Sequence, residues 1–217
     1  MSREIPREIV LRSPTPLLAD AMDRLGIADF ALDRFVRPLM PGMRMAGPAL
    51  CVTGRVRPHP LPPPAGLYTE IDRAVTPGCI VVVATGAYDE AAVIGGNAAI
   101  GFQRRGAAGI LVDGTARDSD EFAELDFPCF CRGTSVLGFP GRWDYTAIDV
   151  PVELRGIGSR PVHAASQDIV VADLDGALVV PFGRLAEVAE TVTRLDRRQA
   201  RIKRLLLDGV DRAAAYQ

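Results

Sequence analysis

Arg117 and Asp118 are the residues of this sequence whose types and spacing best fit a reaction centre. They follow an apolar run over residues 110–112, which predicts a buried strand. An arginine holds a carboxylate through two parallel hydrogen bonds, and an aspartate supplies the hard oxygen that Mg²⁺ accepts. The pair therefore predicts a site for a small acid and a metal. The alternative is a salt-bridged pair that caps the next helix, since aspartate is an ordinary N-cap residue.

A second candidate is the start of a helix predicted over residues 95–105, which begins with two glycines. Glycines let a ligand approach the backbone, and the free amides at the positive helix end favour an anion. We therefore expect substrate to bind the backbone of five residues: Gly95, Gly96, Asn97, Ala98 and Ala99. The alternative is a tight strand-to-helix turn that uses the positive φ of glycine.

Several other chemistries have few residues to work with. The sequence has two histidines, His59 and His163, which excludes multi-histidine zinc sites and leaves little for a Ser-His-Asp triad. It contains no Walker loop and no G-x-G-x-x-G pattern. Cys129 and Cys131 would face one side of a strand. They are expected to be buried thiols, with half of a metal site as the alternative.

Charge and hydropathy argue against nucleic-acid and membrane partners. The net charge is −2 with both signs interspersed, and the basic stretch over residues 194–204 is typical of a solvated helix face. No apolar run reaches the roughly 18 residues of a membrane span. The charged N-terminus lacks an apolar signal core, so we expect a cytoplasmic protein that contacts neither nucleic acid nor membrane.

The elements that position these residues follow a β-α-β-α-β order in the centre of the chain. Apolar runs predict strands over residues 47–56, 79–84, 109–113 and 127–131, and helical spacing predicts helices over 15–25, 69–74, 95–105 and 118–125. This order predicts a partly parallel sheet with ligands beyond its carboxyl ends. Proline-rich residues 59–66 predict a stiff loop, which we expect near the mouth of the site.

The last third of the sequence has a different pattern. Short strands are predicted over residues 150–154, 168–174 and 177–180, and we expect them to form an additional antiparallel β layer on the same core. A long helix over about 184–207 ends at Gly209. Its leucines and isoleucine offer more apolar surface than a lone helix needs, which indicates oligomer contacts. No internal repeat divides the chain, so residues 1–217 are expected to form a single α/β domain.

The stretch from Gly95 and Gly96 through residues 105–109 to residues 112–118 resembles the class II pyruvate aldolases acting on 4-hydroxy-4-methyl-2-oxoglutarate, whose fold the regulator of ribonuclease activity A shares. Weaker motifs extend the resemblance over nearly the whole chain: Thr15-Pro16, Arg37-Pro38-Leu39, Gly47-Pro48-Ala49, Arg132-Gly133-Thr134 and Asp173-Leu174-Asp175-Gly176. The resemblance implies a swivelling β/α/β fold and a ring-shaped homotrimer, with a hexamer of two stacked rings as the alternative.

The resemblance also implies a chemistry. Arg117 would grip the substrate carboxylate, and Asp118 would bind Mg²⁺ or Mn²⁺. Gly96 and Gln199 stand where the aldolases have carboxylates, the second of them supplied by a neighbouring subunit. Asp89 and Glu90 are candidate replacements. We therefore expect a metal-dependent lyase for a small 2-oxo acid, of oxaloacetate decarboxylase or pyruvate aldolase type.

The alternative function is a non-catalytic regulator that binds a protein such as an RNA-degrading endonuclease. The loss of two family carboxylates suits a regulator. The retention of Arg117 and Asp118 favours the enzyme.

Overall fold

The computed structural model describes residues 4–57 and 67–217 of the chain. The proline-rich loop predicted over residues 59–66 lies outside the described residues, so its expected place at the mouth of the site stays a prediction.

Seven α-helices are present among the described residues. They are α1 (Glu4–Arg12), α2 (Thr15–Arg24), α3 (Leu67–Ala74), α4 (Gly96–Arg104), α5 (Ser119–Glu124), α6 (Leu185–Leu207) and α7 (Arg212–Ala215). The five helices expected from the sequence are all found, with shifts of one or two residues at most ends. Helix α1 was not expected, because Pro6 and its charged residues weaken the helical pattern. None of these helices is long and apolar enough to cross a membrane.

The strands in the same part of the chain are mostly short. They are β1 (Arg37–Pro38), β2 (Met45–Val56), β3 (Ile80–Ala84), β4 (Gly109–Val112), β5 (Thr115–Ala116), β6 (Cys129–Cys131), β7 (Gly133–Thr134), β8 (Trp143–Ile148), β9 (Val152–Arg155), β10 (Pro161–Ala164), β11 (Ile169–Asp173) and β12 (Gly176–Val180). Eight of them form one sheet, with the order β1-β6-β4-β3-β2-β11-β12 and with β8 also paired to β2. Strands β2, β3, β4 and β6 are parallel neighbours, which confirms the predicted partly parallel sheet.

Strand β2 joins the parallel and antiparallel parts of the sheet. Its residues 49–53 pair in parallel with β3, while residues 45–48 pair with β11 and residues 52–56 pair with β8, both antiparallel. The expected separate layer is therefore smaller than the sequence indicated. The hairpin of β11 and β12 extends the main sheet, and of the strands predicted in the last third of the sequence the one at β9 pairs with β10 in a separate sheet on its face.

The main sheet is covered on both faces, as the unbroken apolar run of β3 predicted. Val81 and Val83 pack in the hydrophobic cluster under α3, α4 and α5. Ile80 and Val82 point to the opposite face, which β9 and β10 cover. A strand that alternates between two buried faces has no polar position, so it holds the residues at its carboxyl end on a rigid base.

Helices α1, α2 and α6 pack together against the β11–β12 hairpin. Leu195 and Ile202 of α6 are buried by the chain itself, whereas Leu206 and Leu207 near its end stay exposed. The apolar surface that α6 offers to another subunit is thus smaller than its sequence suggested. The homotrimer stays a prediction. All four cysteines are free and buried, and Cys129 and Cys131, which were predicted to be buried thiols, belong to the same core cluster.

Gly54 of β2 packs closely against the Trp143 ring, and a substitution at Gly54 tests this packing. A Cβ at Gly54 would collide with the Asp144 carbonyl oxygen and with the buried Trp143 ring. We expect Gly54→Ala to lower the free energy of unfolding by about 1–3 kcal/mol, because neither a backbone oxygen nor a buried indole moves easily. The matched control is Gly183→Ala, where a Cβ meets nothing within 4 Å. Urea denaturation that showed the same loss for both variants would contradict this view of β2.

Candidate active site

Arg117 and Asp118 lie beyond the carboxyl end of β4, on a short platform made of separate chain segments. Strand β5, which precedes Arg117, pairs in parallel with β7. On its other side Ala116 forms a bridge with Ile94, and the Arg117 amide donates to the Ile94 carbonyl at 3.0 Å. Gly95 directly follows Ile94, and Arg117 directly follows Ala116. The platform therefore brings Gly95 and Arg117 side by side although 22 positions separate them in sequence.

Asp118 has a backbone conformation that few residues adopt. Its φ of 60° and ψ of 45° lie in the left-handed region, which aspartate tolerates better than most side chains. Asp118 precedes α5, but its side chain makes no capping bond to that helix. Instead Oδ2 accepts a hydrogen bond from the Gly96 amide at 3.0 Å, at the start of α4. One part of the alternative is confirmed, since Arg117 and Asp118 form an ion pair. The other part is wrong, because the Asp118 carboxylate caps α4 and not the helix that follows it.

The Arg117 side chain lies beside Asp118 and packs against two glycines. Its Nε is 3.4 Å from Asp118 Oδ2, and the side chain is 45% exposed. A Cβ at Gly138 would lie 2.6 Å from Nη1, and a Cβ at Gly95 would lie 2.5 Å from Asp118 Oδ2. Both glycines thus make room for the pair. The half-exposed guanidinium keeps N–H groups toward solvent, where they can hold a carboxylate.

Glu121 is a site residue that the sequence reasoning missed. A Cβ on Gly96 would collide with the Glu121 carboxylate, so this carboxylate occupies the space that a side chain at position 96 would enter. Glu121 lies three residues after Asp118, a spacing that places both on one side of a helical turn and could have revealed it. The site therefore has a carboxylate beside Gly96 despite the glycine there.

The other candidate replacements lie elsewhere. Asp89 and Glu90 are exposed in the loop after β3, and the Glu90 carbonyl accepts from the Ser135 hydroxyl at 3.4 Å. Among the described residues, no contact joins either carboxylate to Arg117 or Asp118. Gln199 donates from Nε2 to Asp20 Oδ2 at 3.5 Å on the exposed surface between α6 and α2. A single chain therefore does not bring Gln199 to the site.

The expected cradle of backbone amides is smaller than predicted. The Gly96 amide is bonded to Asp118, and the amides of Ala98 and Ala99 donate to the Gly95 carbonyl at 3.1 and 3.2 Å. Within the described residues, this leaves the amides of Gly95 and Asn97 as unbonded donors in the predicted set. The first turn of α4 uses the others, so Ala98 and Ala99 are corrected from amide donors to helical residues.

A buried carboxylate fixes the loop that leads to Gly95. Asp113, at the end of β4, is fully buried and accepts from both the amide and the hydroxyl of Thr85, the latter at 2.8 Å. Burial raises the pKa of Asp113, and the Thr85 bonds oppose that rise. The Tyr145 hydroxyl holds the same loop further along, donating to the Val93 carbonyl at 2.6 Å. Asp113 thus acts on the shape of the site and not on a ligand.

The donors at this site suit Mg²⁺ or Mn²⁺. Among the described residues no cluster of three His, Cys, Asp or Glu side chains could enclose a metal. Magnesium usually binds through one or two carboxylates, with waters and substrate filling the other positions. Asp118 and Glu121 provide two carboxylates, and both contacts of Asp118 in this part of the chain use Oδ2, which leaves Oδ1 available. The residues therefore fit a cation bound from one side.

Two cavities of the described residues lie away from the Arg117–Asp118 pair. A cavity of 590 Å³ lies between α2 and α6, and Gln199 is among the residues that line it. A cavity of 480 Å³ is lined by residues 26–31 and by Gly156 and Ile157. Neither of these two cavities is lined by Arg117 or Asp118.

Comparison with known proteins agrees with this fold. The family model described as "RraA-like: Aldolase/RraA" matches residues 15–179, so the chain belongs to that family. A Halalkalibacterium halodurans protein named "Putative 4-hydroxy-4-methyl-2-oxoglutarate aldolase" is 29% identical over 208 residues, covering 94% of this chain and 89% of the relative.

Two solved structures share the fold over nearly the whole chain. An uncharacterized protein from Pseudomonas syringae pv. tomato has a TM-score of 0.84 at 25% identity, covering 100% of this chain and 98% of the other. Streptomyces coelicolor RraAS2, described as an unusual member of the RNase ES inhibitor RraA protein family, has a TM-score of 0.76 at 27% identity, with coverages of 91% and 94%. The predicted family and fold class are confirmed.

The contact between position 96 and Glu121 can be tested by combining two substitutions. We expect Gly96→Ala to displace the Glu121 carboxylate and to raise the Kd for Mn²⁺ by about tenfold, a usual effect of disturbing groups around a metal. Glu121→Ala, which removes the carboxylate, should raise the Kd for Mn²⁺ by a similar factor. Because the added Cβ acts through Glu121, the double variant should bind Mn²⁺ no more weakly than Glu121→Ala alone. Titration calorimetry that showed additive losses would refute this coupling.

Proposed function

We propose that this protein is a divalent-metal-dependent carbon–carbon lyase that acts on a small 2-oxo acid. One observation carries the proposal: Asp118 and Glu121 converge on the Gly95–Gly96 backbone directly beside the Arg117 guanidinium. A 2-oxo acid has a carboxylate and a neighbouring oxo group. The arginine would bind the carboxylate, and a cation on the two carboxylates would bind the oxo oxygen. The similarity to a relative named as an aldolase supports the same chemistry.

Each residue of the site has a role in this proposal. Arg117 binds the substrate carboxylate through two N–H groups and orients the acid along the edge of the platform. Asp118 and Glu121 would hold Mg²⁺ or Mn²⁺, which supplies a positive charge that polarises the 2-oxo group. The unbonded amides of Gly95 and Asn97 would add fixed donors for developing negative charge.

Decarboxylation of a β-oxo acid such as oxaloacetate makes the smallest demand on these residues. Loss of CO₂ needs no base, whereas aldol cleavage needs one to remove a hydroxyl proton. The family aspartate at position 96 is a glycine here, and Glu121 fills the adjacent space. We therefore propose oxaloacetate as the first substrate to assay, with 4-hydroxy-2-oxo acids as the second class.

The direct test is turnover of 2-oxo acids by the full-length protein. Oxaloacetate should lose CO₂ at a rate above the metal-catalysed background in the presence of Mn²⁺ or Mg²⁺. A chelator should abolish the difference, and added metal should restore it. If no 2-oxo acid were turned over under any of these conditions, the lyase proposal would be wrong.

Replacing Arg117 with lysine keeps the charge but removes the two-pronged contact. We expect Arg117→Lys to raise KM for oxaloacetate by about tenfold, equivalent to about 1.4 kcal/mol of lost binding. The control is Arg105→Lys, an exposed arginine at the opposite end of α4, which should leave KM unchanged. If steady-state kinetics gave equal KM values for both variants, Arg117 would not bind the substrate carboxylate.

Asp118→Asn separates the charge of this residue from its structural role. Asparagine tolerates the left-handed backbone and can still accept the Gly96 hydrogen bond, so the platform should persist. The neutral amide binds a hard cation weakly, and we expect metal-dependent turnover to fall by about 100-fold or more, in the upper range of losses for metal-site substitutions. Asp120→Asn, on the exposed side of α5, is the control. Unchanged Mn²⁺ dependence in Asp118→Asn would place the metal elsewhere.

The similarity to RraAS2 favours a second candidate, a regulator that binds an RNA-degrading endonuclease. A regulator has no need for an arginine and two carboxylates gathered at one strained turn. A protein that inhibited such an endonuclease equally well with Arg117→Lys and Asp118→Asn, and that turned over no 2-oxo acid, would establish this second function.

A further inference from the structure

Tyr68, the second residue of α3, lies beside the proposed carboxylate-binding group. Its ring centroid is 5.3 Å from that of Phe139 and 5.7 Å from that of Tyr145. Phe139 directly follows Gly138, the residue against which the Arg117 guanidinium packs. The phenol is therefore linked to the guanidinium through Phe139 and Gly138, although α3 had no place in the site predicted from the sequence.

The Tyr68 ring rests on a rigid base. Tyr145 beneath it is buried, is held by its hydrogen bond to the Val93 carbonyl, and meets Trp143 edge-on with ring centroids 4.8 Å apart. Phe139 meets Tyr145 edge-on at 5.6 Å. A tyrosine packed in this way loses little conformational freedom when it contacts a ligand, so its contact contributes to affinity efficiently.

The Tyr68 hydroxyl is available as a hydrogen-bond donor. Unlike the Tyr145 hydroxyl, it has no hydrogen-bond partner among the described residues. Burial raises the pKa of Tyr68, the Asp72 and Asp118 carboxylates raise it too, and Arg117 lowers it. The net rise keeps the phenol protonated at neutral pH. The influence of Arg117 and Asp118 agrees with the position that the ring contacts give.

We propose that Tyr68 is a substrate-positioning residue whose hydroxyl donates a hydrogen bond to the carboxylate that Arg117 grips. Its ring closes the site on the side of Phe139, so that the 2-oxo group of the bound acid turns toward Asp118. This inference rests on the proposed function, because the ligand is the same small 2-oxo acid. It adds a recognition group to the site from an element that the sequence did not connect with it.

Tyr68→Phe separates this role from a structural one, because phenylalanine keeps the ring contacts with Phe139 and Tyr145. We expect Tyr68→Phe to raise KM for oxaloacetate, and the Kd for oxalate in the presence of Mn²⁺, by about tenfold, as loss of a hydrogen bond to a charged group predicts. The kcat should stay within about threefold, since the carbon–carbon bond is not contacted. The control is Tyr216→Phe, an exposed tyrosine after α7.

The outcomes separate this inference from the lyase proposal. If wild-type protein turns over oxaloacetate and Tyr68→Phe leaves both KM and the oxalate Kd unchanged, the inference is wrong and the lyase remains. Oxalate binding that weakens in Tyr68→Phe without any turnover in wild type would support Tyr68 and reject the lyase. Wild-type protein that neither binds oxalate nor turns over a 2-oxo acid would overturn both. A lower melting temperature with unchanged KM and oxalate Kd would show a purely structural tyrosine.

Discussion

The hydrogen bond from the Gly96 amide to Asp118 Oδ2 is the contact on which the site depends. It joins the start of α4 to the turn before α5, two segments that meet only because β3 and β4 are parallel neighbours. The left-handed backbone at Asp118 costs about 1–3 kcal/mol, and a hydrogen bond to a charged group contributes about 1.5–3 kcal/mol. The two terms are of similar size, so the strained turn persists because the start of α4 offers its amide.

This contact also sets the electrostatics of the site. The start of α4 carries partial positive charge, which favours an anion there by about 0.3–1 kcal/mol. Asp118 supplies that anion from within the chain, and Arg117 lies against the same oxygen. Oδ2 therefore has positive charge on two sides, whereas Oδ1 of Asp118 makes no contact among the described residues. Under the proposed function, the guanidinium that binds the substrate acid has a carboxylate partner that is itself shared with a helix.

The sequence allowed the parallel sheet and the Arg117–Asp118 pair to be predicted because both depend on local patterns. The apolar run of β3 is continuous, and the pair follows directly after another such run. The sequence analysis overlooked the three-residue spacing that links Glu121 to Asp118. It could not connect Tyr68 with the pair, because Tyr68 is linked to Arg117 only through the packing of Phe139 and Gly138. The pairing of β11 with β2 was missed for a related reason: alternation predicts a strand but does not choose its neighbour. The amide cradle was overestimated because a helix start was treated as if all its donors were free.

The glycine at position 96 does not leave the site without a carboxylate, because another residue places one beside it. Chemistry at a metal depends on where a carboxylate oxygen lies, and the backbone position that carries it can vary. In this chain the space beside the start of α4 is filled by Glu121, which comes from the first turn of α5 and approaches across the Asp118 turn. Glycine at position 96 makes this arrangement possible, because a Cβ there would displace the Glu121 carboxylate from the space that it occupies. Positions 96 and 121 therefore depend on each other. The absence of a side chain at Gly96 on α4 makes room for the Glu121 side chain from α5.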